Sequence, residues 1–366
     1  MKRGISLAIA TGLLSIALVG VSAAATYTVK SGDTLSGIAT SQKVEGGWQA
    51  LYTANKSIIG SNPNLIQVGQ VLTLPTATYP PTPRTGVYVG PGSVSKYNTF
   101  DTWLNRSQLD ATDYVDPSEN ATWNITAFKT WGDWKKAEDG RKFILGLPLL
   151  PKQGNFTDGL AGKYDSQFRG VAKLMVQNGL GDSIIRLGYE PNNPNIGPWQ
   201  GTKNPSAYKA MFRRVYGIMK AEAPGFKFDY NSAVGPAGLA TSFDSLYPGD
   251  AYVDIVGLNV YDVWWAHYSA TAYDRWQHNL NTTMGINSFK AFAKAHNKPV
   301  SYPEWGLYKK GDSYAGGGDS PYFIDRMAEL VQGSTYNAYF NMNWGGGTLD
   351  NFPNGKLEYK KKFGNQ

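Results

Sequence analysis

Two glutamates carry the features that most suggest chemistry. One sits in Arg186-Leu-Gly-Tyr-Glu190-Pro-Asn-Asn193, the other in Ser301-Tyr-Pro-Glu304-Trp-Gly306. Each follows a short apolar run and stands among Gly, Pro, amide and aromatic residues, a costly setting for a charge without a task. Two carboxylates across an aromatic cleft are what glycoside hydrolysis requires. One must keep a proton for the leaving oxygen, while the other stays ionised and attacks the anomeric carbon. A spacing of about 5–5.5 Å gives retention and about 6.5–9.5 Å gives inversion. Two further apolar runs end in groups suited to sugars: Asn259-Val-Tyr261-Asp262 leading to Trp264-Trp265, and Asn343-Trp344 followed by three glycines. Arg186, inside its run, either holds a carboxylate ionised or makes a structural ion pair. Tyr261 is an orienting group or a packed ring. Trp344 is the leading candidate for sugar stacking. Trp199, Trp264, Trp265 and Trp305 divide between sugar platforms and packing. Tyr189 and Asn192, flanking Glu190, complete the candidate substrate contacts.

Composition removes other chemistries. The 366 residues include no Cys and only three scattered His (His267, His278, His296). Thiol nucleophiles, disulfide scaffolds and cysteine–zinc sites are therefore excluded, and a histidine metal site has little to draw on. No Gly-x-Ser-x-Gly elbow supports a serine triad. No metal and no cofactor are expected. The chain is rich in rings, with 11 Trp, 23 Tyr and 15 Phe, and only 17% of it is charged. Such a chain suits pyranose faces and hydroxyls. The net charge of +7 falls to +5 if Lys2 and Arg3 leave with a cleaved leader, and the remaining cations are dispersed. A nucleic-acid partner is not expected.

Eight apolar runs lie beyond residue 86: Val87–Val89, Asp113–Val115, Phe143–Leu147, Ile184–Leu187, Lys227–Tyr230, Asp254–Asn259, Pro299–Tyr302 and Ala338–Asn343. Amphipathic stretches at Ser166–Asn178, Pro205–Ala223, Ser288–Ala295 and Pro321–Leu330 alternate with them. Residues 86–366 are therefore expected to form a (β/α)8 TIM barrel, an α/β fold whose chemistry gathers at the strand C-termini. Glu190 and Glu304 then leave the fourth and seventh strands at one mouth. An open doubly wound sheet is the alternative. It would need a glycine-rich first turn with a downstream acid, and Gly90-Pro-Gly92 lacks the acid.

Residues 1–25 join Met-Lys-Arg, an apolar stretch from Ile5 to Val21 and Ala23-Ala24-Ala25, the pattern of a cleaved secretory leader or, alternatively, a membrane anchor. Export to a bacterial cell wall is the expectation, with no stable membrane insertion and a monomeric chain. Residues 76–85 are a Pro/Thr linker. Between them, residues 26–75 carry Gly32-Asp33-Thr34-Leu35 near the start, and Asn62-Pro63-Asn-Leu and Gly69-Gln-Val-Leu-Thr-Leu-Pro75 near the end. This segment closely resembles a LysM module, a small βααβ unit. The resemblance implies binding to N-acetylglucosamine-containing chains, peptidoglycan or chitin. Gly32, Asp33, Thr34, Leu35, Ile59, Asn62 and Pro63 would form its two facing loops, although Asn62-Pro63 could equally serve only as a turn.

The large domain resembles glycoside hydrolase family 26, the β-mannanases, within the clan of retaining glycosidases that keep their glutamates on strands four and seven. The likeness rests on Arg186 four residues before Glu190 and on Lys298-Pro299 ahead of Glu304-Trp305-Gly306. It implies that Glu190 is the acid/base, Glu304 the nucleophile, Tyr261 the group orienting Glu304, and Trp344 the floor of the cleavage subsite. Where the family has His before its acid/base, and related families Asn, this chain has Tyr189, at a position that touches the substrate near its 2-hydroxyl. The resulting expectation is a retaining endo-hydrolase of a β-linked polysaccharide, mannan-like first and a wall glycan such as peptidoglycan second. A transglycosylase using the same glutamates and a binding-only wall protein are the competing readings.

Overall fold

The computed structural model describes residues 25–42, 44, 47–60, 62–75, 84–107, 110–115, 127–265, 267–311, 314–343 and 347–364. Residues 1–24 of the expected leader, most of the expected linker and Trp344 lie outside the described residues. The chain divides between Pro80 and Pro81 into two compact units.

In the first unit, β1 (Thr26–Thr28) pairs antiparallel with β2 (Val71–Thr73), and helices Leu35–Ser41 and Gly47–Ile59 lie between them in sequence. This is the expected βααβ order. Leu35, Ile38, Leu51, Ile59 and Leu72 meet in one small core. Buried Asn55 donates to the carbonyls of Leu51 and Thr73 and accepts from Thr73 N, tying helix to strand with its amide satisfied. Gly32 takes the left-handed conformation (φ +83°) that the turn before the first helix needs. Thr34 caps that helix, its Oγ1 accepting from Gly37 N.

The second unit is the expected barrel. Its strands are β3 (Gly86–Tyr88), β4 (Asp110–Tyr114), β5 (Lys142–Leu147), β6 (Ile184–Leu187), β7 (Lys227–Ala233), β8 (Ile255–Tyr261), β9 (Val300–Gly306) and β12 (Asn337–Phe340). They close in the order β12-β3-β4-β5-β6-β7-β8-β9, all parallel. A hairpin of β10 (Lys310–Gly311) and β11 (Tyr314–Ala315) interrupts the chain after β9. The four expected helices form within two residues of their predicted limits, at Asp165–Gln177, Pro205–Glu222, Ile286–Ala295 and Pro321–Leu330. Two of them open on proline, behind Asn204 and Ser320 side chains that accept from Ala207 N and Phe323 N.

The seventh barrel strand differs from expectation in an instructive way. The apolar run stops at Tyr302, yet β9 continues to Gly306, so Glu304 lies within the strand. Pro303 has no N–H to give the ladder, and the register shifts on both sides of it, toward β8 and toward β12. Ser301 points inward to Asp229, and Tyr302 outward to Phe289 of a covering helix. Strict alternation would then send Glu304 out and Trp305 in. The irregularity reverses this, turning Glu304 to the interior and Trp305 to the helix layer, where it meets Tyr359 and Phe363. Among the described residues, no helix is long and apolar enough to cross a membrane.

Candidate active site

Glu304 is only 9% exposed and receives three hydrogen bonds. Tyr261 of β8 donates to Oε1 at 2.7 Å, Tyr114 of β4 to Oε2 at 2.5 Å, and Nη2 of Arg186 on β6 to Oε2 at 3.2 Å. Glycines make room for both phenols. A Cβ on Gly146, opposite Tyr114 in the ladder, would stand 2.4 Å from the Tyr114 ring, and one on Gly306 would reach the Tyr261 ring at 3.3 Å. Arg186 is fully buried, its guanidinium 5.1 Å from the Tyr114 ring centroid while Nη1 donates to that residue's hydroxyl. Burial alone would lower its proton affinity, but Tyr114 and Glu304 outweigh burial and push its pKa up. The site therefore contains a permanent cation behind one carboxylate.

Glu190 stands differently, three residues past β6 on a tight turn. Gly188 (φ +56°) and Glu190 itself (φ +49°) are both left-handed, and a Cβ at Gly188 would strike Leu149 at 2.6 Å. A glutamate in this conformation needs its surroundings to hold it. The end of β7 does so: Glu190 N donates to the Asn231 carbonyl at 2.7 Å, and the Asn192 amide bridges Ala233 N, Ala233 O and Gly235 O. The Glu190 carboxylate accepts from Asn259 Nδ2 on Oε1 (2.7 Å) and from Asn193 Nδ2 on Oε2 (2.8 Å). Burial, and then the charge of Glu304, raise its pKa, opposed by these two amides and by Arg186. A carboxyl pushed toward its protonated form thus shares a cleft with one that accepts from a guanidinium and two phenols.

That cleft has a volume of about 520 Å³ and is lined by both glutamates, Asn259, Tyr261, Trp264 and Trp265, among others. None of the described residues that line it is Lys or Arg. Trp265 is 56% exposed and sets its edge against Tyr308. Trp264 is flanked by imidazoles, stacked on His278 (4.5 Å) and tilted on His267 (3.9 Å). A groove of about 570 Å³ on the flank, beside Trp103 and Lys356, is larger but contains neither glutamate. Chemistry follows the carboxylates rather than the volume.

Of the expected site residues, Glu190, Glu304, Arg186, Tyr261 and Trp265 come together at this mouth. Tyr189 borders it, its ring edge-on to Tyr114 and Trp199, and its hydroxyl has no hydrogen-bond partner among the described residues. One expectation is corrected. Trp305 is fully buried, its Nε1 donating to Asn337, so it cannot stack on a sugar. Asn192 lines the cleft but is 2% exposed, and its amide is engaged by the β7 backbone, which makes it first a staple of the Glu190 turn. Trp199 is likewise core. In the first unit, Leu35 opens the first helix and Ile59 closes the second, and both are buried in its core. Asp33 accepts from Lys30 N and Tyr27, and Asn62 accepts from Asn64 N, so both shape turns; Pro63 is half-buried beside Asn62. Sequence reading missed Tyr114, Asn193, Asn231 and the role of Asn259. Tyr114 ends a barrel strand, so the rule that found Glu190 also pointed to it.

Fold and site together define a (β/α)8 barrel with one carboxylate just past its fourth strand and another within its seventh. Comparison with known proteins fits that class. Residues 181–304 match Glycosyl hydrolase family 26, a span that runs from just before β6 to Glu304, and residues 27–75 match the LysM domain. A mannan endo-1,4-beta-mannosidase of Bifidobacterium adolescentis is 28% identical over 191 residues, 46% of this chain and 18% of that protein. The resuscitation-promoting factor Rpf of Micrococcus luteus is 54% identical over 54 residues, 15% of this chain and 24% of that protein. The chain thus spans a quarter or less of the length of each relative. Among solved structures, a ruminal family 26 endo-β-1,4-mannanase gives a TM-score of 0.53 at 14% identity, covering 78% of this chain and 63% of that one. A modular endo-β-1,4-mannanase from Cellulomonas fimi gives 0.51 at 15% identity, covering 69% and 62%. At these identities the likeness is one of fold.

Proposed function

We propose that the barrel is a retaining glycoside hydrolase acting within a neutral, β-linked polysaccharide, with mannan-like chains first. The observation that carries this reading is the contrast between the two glutamates of one cleft. Glu190 protonates the glycosidic oxygen as the bond to the anomeric carbon breaks, and the Glu304 carboxylate forms an ester to that carbon. Glu190, now ionised, takes a proton from water; the water oxygen bonds to the anomeric carbon and Glu304 leaves. Tyr261 and Tyr114 aim the nucleophile, and Arg186 balances its charge in both steps. Trp265 offers a ring to sugars leaving the cleft, and Tyr189 a free hydroxyl.

Neutral polymers are favoured because the cleft pairs two carboxylates with amides and rings and has no Lys or Arg among the described residues that line it. Peptidoglycan, whose stem peptides carry carboxylates, is the second reading, and the LysM match alone favours it. The relatives with this barrel are named endo-mannanases, which supports internal attack. The LysM module would hold the enzyme on an N-acetylglucosamine-containing wall, and the leader-like residues 1–25 support export. Reducing-end release from mannan, glucomannan, xylan, mixed-linkage glucan, chitin and peptidoglycan tests the assignment. Activity on a neutral β-glycan that vanishes in Glu304→Gln is expected; a fully active Glu190→Gln, Glu304→Gln double variant would refute it.

A further inference from the structure

Arg186 governs more than Glu304. Its Nε and Nη2 donate to Asn231 Oδ1 at 3.1 and 2.6 Å. A guanidinium only donates, so the oxygen of Asn231 has to face it. That choice turns Asn231 Nδ2 toward Asn259, where it donates to Oδ1 at 2.9 Å, an oxygen that Arg186 Nη2 also approaches at 3.5 Å. Asn259 is left with its amide nitrogen for Glu190 and donates to Oε1 at 2.7 Å. Both amides are buried, at 0% and 2% exposure. Flipping either would set like groups against each other where no solvent compensates.

We infer that Asn231 and Asn259 are positioning residues, a directional relay through which the Arg186 cation makes Glu190 meet a donor on its Oε1 side. The inference rests on the reading of Glu190 as acid/base and says how that acid is tuned. The lone pair aimed at Asn259 is closed to a proton, and the ionised form of Glu190 gains a partner. This opposes the burial and the Glu304 charge that raise its pKa. Among the described residues, the charged and titratable groups around Glu190 are Arg186 from β6, Glu304 from β9, Tyr261 from β8 and the adjoining Tyr189, with His278 and Tyr308 lining the same cleft. Asn231 is uncharged and touches Glu190 only by accepting from its backbone N–H, through a main-chain carbonyl that a side-chain substitution leaves in place.

The test is a difference infrared titration of the Glu190 carboxyl, each protein minus its Glu190→Gln counterpart, in the full chain without substrate. Asn259→Ala should raise the midpoint by about one pH unit, tenfold in proton affinity. Asn231→Ala should raise it less but in the same direction, although it contacts no carboxyl atom. The double variant should shift no further than Asn259→Ala alone. An unmoved midpoint in Asn231→Ala, or shifts that add, would overturn the relay. If Asn231→Ala does not fold, Asn231→Asp keeps the acceptor for Arg186, deletes the donor to Asn259 and adds a negative charge. The relay then predicts a rise that shrinks in the Asn259→Ala background, whereas a plain charge effect gives equal rises. The readout needs no turnover, so an inactive protein would sink the glycosidase reading while the relay is still decided.

Discussion

Glu190 and Glu304 line one cleft, yet the chain holds them by different means. Glu304 is built into β9 and is gripped by side chains from three other strands, one of them a buried cation. Glu190 lies on a left-handed turn and is held by amides, with its backbone tied to the end of β7. A strand fixes where a nucleophile sits. A turn stapled to a neighbour lets an acid sit in a buried position with its pKa raised. On the proposed function, identical residue types take different tasks because their supports differ.

The sharpest way to break this comparison is to neutralise each glutamate in turn. Glu304→Gln should lower kcat/KM by roughly three orders of magnitude or more on every substrate. Glu190→Gln should do so on polysaccharide but lose far less on aryl glycosides whose leaving group needs no proton. Equal losses for both variants on both substrate types would erase the distinction. The next largest effect concerns the register shift that separates Glu304 from its neighbour. Trp305→Ala should destabilise the barrel by about 3–5 kcal/mol, because it empties a fully buried site. Trp265→Ala should leave the urea midpoint unchanged and raise KM.

Smaller effects come from the groups that aim Glu304. Tyr114→Phe and Tyr261→Phe should each reduce kcat roughly 10- to 100-fold, the value of a hydrogen bond to a charged group. Gly146→Ala should mimic Tyr114→Phe, since its new methyl occupies the space of the Tyr114 ring. Stability against pH gives the mildest test. Burial pushes Asp229, which accepts from Ser301 and Tyr336 beneath the site, up to about 6, and Asp110 up to about 7. Such groups hold their protons more tightly folded than unfolded. Their contribution is complete below about pH 4 and is lost as pH rises through 6 and 7. Urea midpoints should therefore fall between pH 5 and pH 8, and Asp229→Asn should flatten that fall by on the order of 1–2 kcal/mol.

The barrel was legible because each of its eight strands carries an apolar run, and reading past those runs located Glu190 and Glu304. The LysM order was legible for a similar reason, through its turn residues at fixed places. What could not be read was orientation. Trp305 stood between sugar platform and packing, and only the irregularity around Pro303 turns it into the helix layer. Asn192 and Asn193 are adjacent amides in the sequence, but one staples the backbone and the other touches the carboxylate. Asn231 and Asn259 lie in separate strands with nothing local to link them. Their alignment depends on strand register, which one-dimensional patterns do not encode.

The most direct measurement is the intact mass of the Glu190→Gln variant during turnover of a 2,4-dinitrophenyl β-glycoside, with the modified peptide sequenced. The account predicts an accumulating glycosyl adduct on Glu304 and a product that first appears in the β configuration. A first product in the α configuration, with no adduct at any time point, would contradict it.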